Sequence, residues 1–232
     1  MIFPNILRKL KRGPQVILPK DIGMILAYSG VGKTSKAVDA GAGSGWLAIS
    51  LGNVCKSVVA YEWREDFVKL ASENVQRAGL KNVKIKHASV FDGIKEKELD
   101  LVTLDLADSD KAVGHAYGAL KDGGMLVGYL PHAEQVQRFV KACEGCGQAG
   151  ASKGTDSGFG DKENGTGASG GSSGGHAAGF GKSGCGFGRI ETIECMVREY
   201  LVREAGFRPE NTGLTHTAYL VFALKVPPPQ RN

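Results

Sequence analysis

Short apolar runs recur along this chain, and most are followed by a stretch with apolar residues at helical spacing. Five runs read as strands: Lys36 to Ala40, Ser57 to Glu62, Val83 to His87, Asp100 to Asp105 and Met125 to Tyr129. Between them, Trp46 to Leu51, Arg64 to Ala78 and Lys111 to Leu120 read as helices. Another helix, Lys20 to Tyr28, precedes the first strand, and Glu134 to Cys143 follows the fifth. The second of the intervening helices has a clear buried stripe (Phe67, Leu70, Ala71, Val75), and Gly79 stops it. Lys121-Asp-Gly-Gly124 reads as a turn. Near the end, Arg189 to Val197 and Ala218 to Lys225 alternate like strands. Strand–helix alternation predicts an α/β fold with a parallel sheet. The two closing strands fit an antiparallel hairpin on its edge, giving a Rossmann-like sheet of seven strands in a single domain.

The stretch Val38-Asp-Ala-Gly-Ala-Gly-Ser-Gly-Trp-Leu47 carries the most chemistry. A strand runs into Gly41, Gly43 and Gly45, and a helix follows. Such a turn lets a ligand approach the backbone and offers it the free amides of a helix start. The next strand ends in Glu62, placed to hydrogen-bond a ribose diol. The spacing is G-x-G-x-G, where a dinucleotide site has G-x-G-x-x-G. With Asp39 ahead of it, this form resembles the first motif of class I S-adenosylmethionine methyltransferases. A second glycine segment, Ala27-Tyr-Ser-Gly-Val-Gly-Lys-Thr34, looks like a relaxed P-loop. It lies after a helix and before a strand, the reverse of what phosphate binding requires, so it reads as an exposed connection with Lys33 solvated.

Composition narrows the picture further. The formal net charge of +5 permits an RNA partner without demanding one. No apolar run approaches a membrane span, no secretory signal is visible, and five cysteines in an α/β chain suggest reduced thiols in a cytoplasm. Between Gly145 and Gly188, seventeen of forty-four residues are glycine. This segment reads as a flexible insertion whose composition cannot offset its ordering entropy. Cys143 and Cys146, with His176 and Cys185, have irregular spacing and read as incidental rather than as a zinc site, so no metal is expected.

Several segments together resemble the tRNA (adenine-N1)-methyltransferases of the archaeal and bacterial type. They are Lys11-Arg-Gly-Pro-Gln-Val-Ile-Leu-Pro-Lys-Asp21, the glycine turn Asp39 to Gly45, and Ala60-Tyr-Glu-Trp-Arg-Glu-Asp-Phe67. Leu104-Asp-Leu106 and the run Arg208 to Phe222, with its His-Thr-x-Tyr-Leu, complete the set. The resemblance implies methyl transfer from S-adenosylmethionine to N1 of a T-loop adenine in tRNA, at position 58 or its neighbour. It also implies a homo-oligomer, usually a tetramer, with no membrane and no DNA among its partners. Asp39, Gly41, Ala42, Gly43, Ser44 and Gly45 would cradle the methionine part, Glu62 would bind the ribose, and Ser89 and Val90 would flank the cofactor adenine. Asp92 is the acid nearest to the position where the family often has one beside that adenine.

On the same resemblance Asp105 would be the catalytic carboxylate. It would accept from the exocyclic amine of a base taken out of its stack and offset the charge that methylation places on the ring. His216 and Thr217 would line the same pocket, Gln15 would contact substrate, and Arg8, Lys9, Lys11 and Arg12 would meet phosphates. The family's Pro-Glu-Pro-Trp after the catalytic Asp-Leu is replaced here by Ala-Asp-Ser-Asp-Lys, which reads as a polar, flexible loop. The small β-domain that precedes the core in the family is expected to be absent. Two alternatives stay open: a non-catalytic RNA-binding partner of such an enzyme, and a class I methyltransferase with a non-RNA substrate.

Overall fold

The computed structural model describes residues 4–13, 15–146, 186–204, 206–210 and 216–227. A short helix, α1 (Asn5–Arg8), precedes α2 (Pro19–Ser29), which starts on a proline and ends at Gly30 in a left-handed conformation. Then follow β1 (Lys36–Ala40), α3 (Trp46–Gly52), β2 (Ser57–Glu62), α4 (Glu65–Ala78) and β3 (Val83–His87). After a single 3-10 turn at Val90–Asp92 come β4 (Leu99–Leu104), α5 (Ser109–Ala119), β5 (Leu120–Leu130) and α6 (Ala133–Gly145). The chain closes with β6 (Gly186–Glu194), a small hairpin of β7 (Tyr200–Arg203) and β8 (Gly206–Pro209), and β9 (Tyr219–Val226).

The main sheet has seven strands in the order β3-β2-β1-β4-β5-β9-β6. The first five are parallel; β9 runs antiparallel between β5 and β6. This is the expected Rossmann-like architecture with its antiparallel closing pair. Parallel strands buried on both faces are mostly apolar, as in β4, where Leu101, Val102 and Leu104 are all buried. Two apolar clusters fill the faces. One joins Ile22 and Ile25 of α2 to Trp46, Leu47 and Leu51 of α3; the other joins Ala112 and Val113 of α5 to Phe139 and Cys143 of α6. Strand order reverses between β1 and β4, and crevices form at such a switch point, beyond the carboxyl ends of the strands.

The structure departs from the sequence reading in a few places. Lys121 to Gly124 does not end a helix and start a strand; it bulges within β5. Leu99 faces Leu120, but Leu101 already faces Met125, and Gly123 takes a φ of 78° to let the extra residues out. Gly186 to Gly188, expected in the glycine-rich insertion, belong to β6. Phe187 is buried edge-on against Tyr117, so the insertion's last aromatic is core. Gly145 ends α6, and residues 147–185 of that insertion, with His176 and Cys185, lie outside the described residues. The P-loop-like segment is a connection from α2 to β1, and Lys33 is exposed.

Candidate active site

At the switch point β1 ends in a glycine turn held from behind. The amides of Gly41 and Ala42 both donate to the Tyr61 carbonyl (3.0 and 3.1 Å), and Gly45 donates to Ala42 (2.7 Å). Gly41 has a φ of 89°, and a Cβ there would lie 2.2 Å from the carbonyl oxygen of Asp105. Only glycine allows the turn and the end of β4 to touch at this point. Gly43 and Gly45 are also in left-handed conformations.

Three carboxylates converge here. Asp39 is buried in β1 and accepts a hydrogen bond from the Thr103 hydroxyl at 2.7 Å. Burial pushes its pKa up to about 6; the Thr103 bond works against that shift and Glu62 adds to it. Glu62, at the end of β2, accepts from the amides of Gly43 (2.9 Å) and Arg64 (3.0 Å) on its two oxygens. Each oxygen keeps a further lone pair for a ligand hydroxyl. Asp105, just past β4, is half-buried, and its amide donates to Ala40 at 2.9 Å. Burial first, then repulsion from Asp39 and Glu62, lifts its carboxyl to about 7.

A cavity of about 500 Å³ opens over these groups, lined by Gly41, Gly43, Glu62, Ser89, Val90 and Asp105 among others. A narrow annexe beside it reaches Asp39, Ala42 and Ser44. Gln15 lines both spaces. The structure therefore brings together every residue expected at the cofactor except Gly45, which packs behind the turn against Ala71. Asp92 is exposed and absent from the lining, so the expected substitute acid beside the adenine is not there.

Missed in the sequence were Thr103, an inconspicuous threonine in an apolar run, and the aromatic wall of Tyr61, Trp63 and Phe67, with the Arg64 guanidinium 3.6 Å over the Phe67 ring. Also missed was Asn74. Its side chain donates to the carbonyls of Lys11 and Ser44 and accepts from the Lys11 amide, all at 2.8 Å, tying the leading segment to the glycine turn.

The segment after Asp105 is pinned rather than loose. The Ser109 hydroxyl donates to the Leu106 carbonyl at 2.6 Å, Gln135 donates to the Ala107 carbonyl at 3.1 Å, and α5 begins at Ser109, two residues earlier than expected. Polar composition suggested mobility, but these polar groups bond locally.

His216 and Thr217 do not line the cavity. His216 bridges the Glu194 carboxylate through Nδ1 and the Pro131 carbonyl through Nε2. Both partners can accept, an arrangement that favours the imidazolium; its pKa is raised, chiefly by Glu194. Thr217 instead bonds Asp21 and Lys20. Arg8, Lys9, Lys11 and Arg12 are exposed, and Lys11 pairs with Glu73 at 2.7 Å. Among the described residues no cluster of side chains suits a metal ion, and Cys143 is buried with its thiol pKa raised by that burial. No described helix is long and apolar enough to cross a membrane.

Comparison with known proteins finds that residues 7–149 match the family described as "tRNA methyltransferase complex GCD14 subunit". The tRNA (adenine(57)-N(1)/adenine(58)-N(1))-methyltransferase TrmI of Methanocaldococcus jannaschii is 31% identical over 97% of this chain and 76% of its own length. A tRNA (adenine(58)-N(1))-methyltransferase TrmI of Thermus thermophilus is 31% identical over 58% of this chain and 55% of its own. Among solved structures, the tRNA (m1A58) methyltransferase TrmI of Aquifex aeolicus superposes with a TM-score of 0.73 at 26% identity, covering 95% of this chain and 74% of its own. A SAM-dependent O-methyltransferase of Thermotoga maritima gives 0.76 at 27%, covering 99% and 74%.

Proposed function

The chain belongs to the GCD14/TrmI family of tRNA methyltransferases, and from that premise we propose that it methylates N1 of a T-loop adenine in tRNA, of the position 58 type, using S-adenosylmethionine. One observation carries the chemical half of this reading: a half-buried Asp105 stands on the floor of a cavity whose other walls are the glycine turn and Glu62. The residues present fit the cofactor. Gly41 lets the turn close against the end of β4, Gly43 lines the open space, and Glu62 has acceptor capacity left for a diol. Glu62 would hold the ribose, Gly41 to Ser44 the methionine end, and Ser89 with Val90 the adenine. When bound, the cofactor supplies an electrophilic methyl group on a positively charged sulfur.

What the chain itself must do follows from the nucleophile. Adenine N1 carries a lone pair and needs no strong base. It needs orientation, and it needs the ring's new positive charge met. Asp105, ionised, accepts a hydrogen bond from the exocyclic amine, which fixes the base and stabilises the charge. With the site empty, Asp105 near pH 7 is only partly ionised; positive charge in the cavity shifts it to the carboxylate. Arg8, Lys9 and Arg12, exposed on α1 and just after it, suit phosphate contacts.

Homo-oligomeric assembly, a tetramer on the family resemblance, is part of the same reading. The β7–β8 hairpin supports it. A lone two-stranded ribbon is marginal in water, yet this one exposes Val202 at 78% and Phe207 at 69%.

The test is incubation with labelled S-adenosylmethionine and unmodified tRNA, followed by nucleoside mass spectrometry. A 1-methyladenosine peak that vanishes in Asp105→Ala is expected. Its persistence in that variant would refute the role of Asp105. The similarity to the Thermotoga O-methyltransferase is the observation for a second reading, an oxygen nucleophile at the same cofactor site. Transfer to hydroxyl acceptors with none to tRNA would favour it.

A further inference from the structure

The segment Gln15 to Leu18 crosses the mouth of the site as a strap. Gln15 lines both the main cavity and the annexe, and Val16 and Ile17 line the annexe beside Asp39 and Asp105. The strap is fastened at both ends. Before it, Lys11 is bound by Asn74, which also holds the glycine turn. After it, the chain enters α2 through Lys20 and Asp21, whose side chains are 3% and 0% exposed. Lys20 donates to Asp21 (2.7 Å), to the Thr217 hydroxyl (2.7 Å) and to the Cys195 carbonyl. Thr217 donates in turn to the other Asp21 oxygen at 2.8 Å. The Tyr129 hydroxyl lies beside Thr217 and Asp21. Tyr129 sits one step beyond the Leu104–Gly128 pair of neighbouring β4 and β5, abreast of Asp105.

A buried ion pair contributes little net stability over an apolar pair of the same shape, but it fixes geometry. Here the geometry it fixes surrounds the reacting side of the site. We propose that Lys20, Asp21 and Thr217 are positioning residues for methyl transfer: their clasp holds the strap and Tyr129 in place around Asp105. This rests on the proposed tRNA methylation. Gln15, Val16 and Ile17 also line the annexe beside Ala42 and Ser44, so loosening the clasp disturbs that annexe while the glycine turn, tied by Tyr61 and Asn74, keeps its place.

The test uses Thr217→Val, which keeps the side chain's shape and removes the bridging hydroxyl, with Thr217→Ser as its rescue. Thr217→Val is expected to lower kcat for tRNA at least tenfold, a larger change than any in cofactor Kd by calorimetry, and Thr217→Ser to recover most of the rate. Amide exchange at Asp21 and Ile22, which both donate to the Leu18 carbonyl at the end of the strap, is expected to speed up at least tenfold in Thr217→Val while residues 41–45 keep their protection. Unchanged exchange at these two amides would overturn the clasp. So would an equal kcat per folded molecule. Faster exchange there in a protein whose parent does not methylate tRNA would uphold the clasp and sink the substrate reading instead.

Discussion

Replacing Asp105 by asparagine removes one of three crowded carboxylates while keeping its shape. In the folded protein its pKa is lifted from 3.8 to about 7, by burial and by the charges of Asp39 and Glu62. A carboxyl raised on folding binds its proton more tightly in the native state. Stability is therefore lost as pH rises from the unfolded value through the folded one, the reverse of ordinary acid denaturation. The window here runs from about pH 4 to about pH 7. Some three units at about 1.4 kcal/mol each give roughly 4 kcal/mol as the full penalty above the window. Asp105→Asn escapes it. Urea unfolding followed by circular dichroism, without cofactor, should show the variant more stable than the parent by roughly 2–4 kcal/mol at pH 8. The gap should close towards pH 4, and methyl transfer should be lost. Equal midpoints at pH 8, or a gap that does not narrow on acidification, would refute the reasoning. Gain of stability on loss of activity is the expected mark of a strained catalytic group.

Thr103→Val strips the buried Asp39 of its hydroxyl partner and should cost about 1–3 kcal/mol at pH 8, read as a lower urea midpoint. The cost should shrink below the Asp39 pKa of about 6, where the carboxyl is neutral. For His216 the sign is opposite: its folded pKa is raised, so its bond to Glu194 stabilises fully below the ordinary 6.5 and fades as pH rises through the folded value. The melting difference between the parent and His216→Ala, scanned from acid to alkaline pH, should therefore diminish; a constant difference would show that the imidazolium is not the bonded form. Deleting Gly147 to Gly184 should leave melting temperature and cofactor affinity unchanged, checked by calorimetry, and a variant that does not fold would show that the insertion packs.

The sheet was legible because its signals are local. Apolar runs, glycine stops and the turn at Gly41 each declare themselves within a few residues, and Glu62 and Asp105 lie at strand ends where any such turn would look for them. What escaped depends on distance or on compensation. Nothing near Thr103 says that its hydroxyl will meet Asp39, 64 positions away. Nothing near Thr217 says that it will meet Asp21 across 196 positions. The bulge at Lys121 to Gly124 looks like an ordinary turn, because glycine and aspartate serve both, and only the register with β4 distinguishes them. Phe187 reads as an isolated aromatic in a glycine tract until Tyr117 is placed beside it.

The place of β9 has a consequence for synthesis. Residues up to Asp105 hold the glycine turn, Glu62 and four of the five parallel strands, all joined by contacts along the chain already made. But among the described residues β6 pairs only with β9, and β5 has β9 as its outer neighbour. Until Tyr219–Val226 leaves the ribosome, β5 is a bare apolar edge and β6 has no sheet to join. The nascent chain thus completes most of a nucleoside crevice early and stays adhesive at one flank until β9 has emerged, the interval in which aggregation or chaperone capture competes with folding.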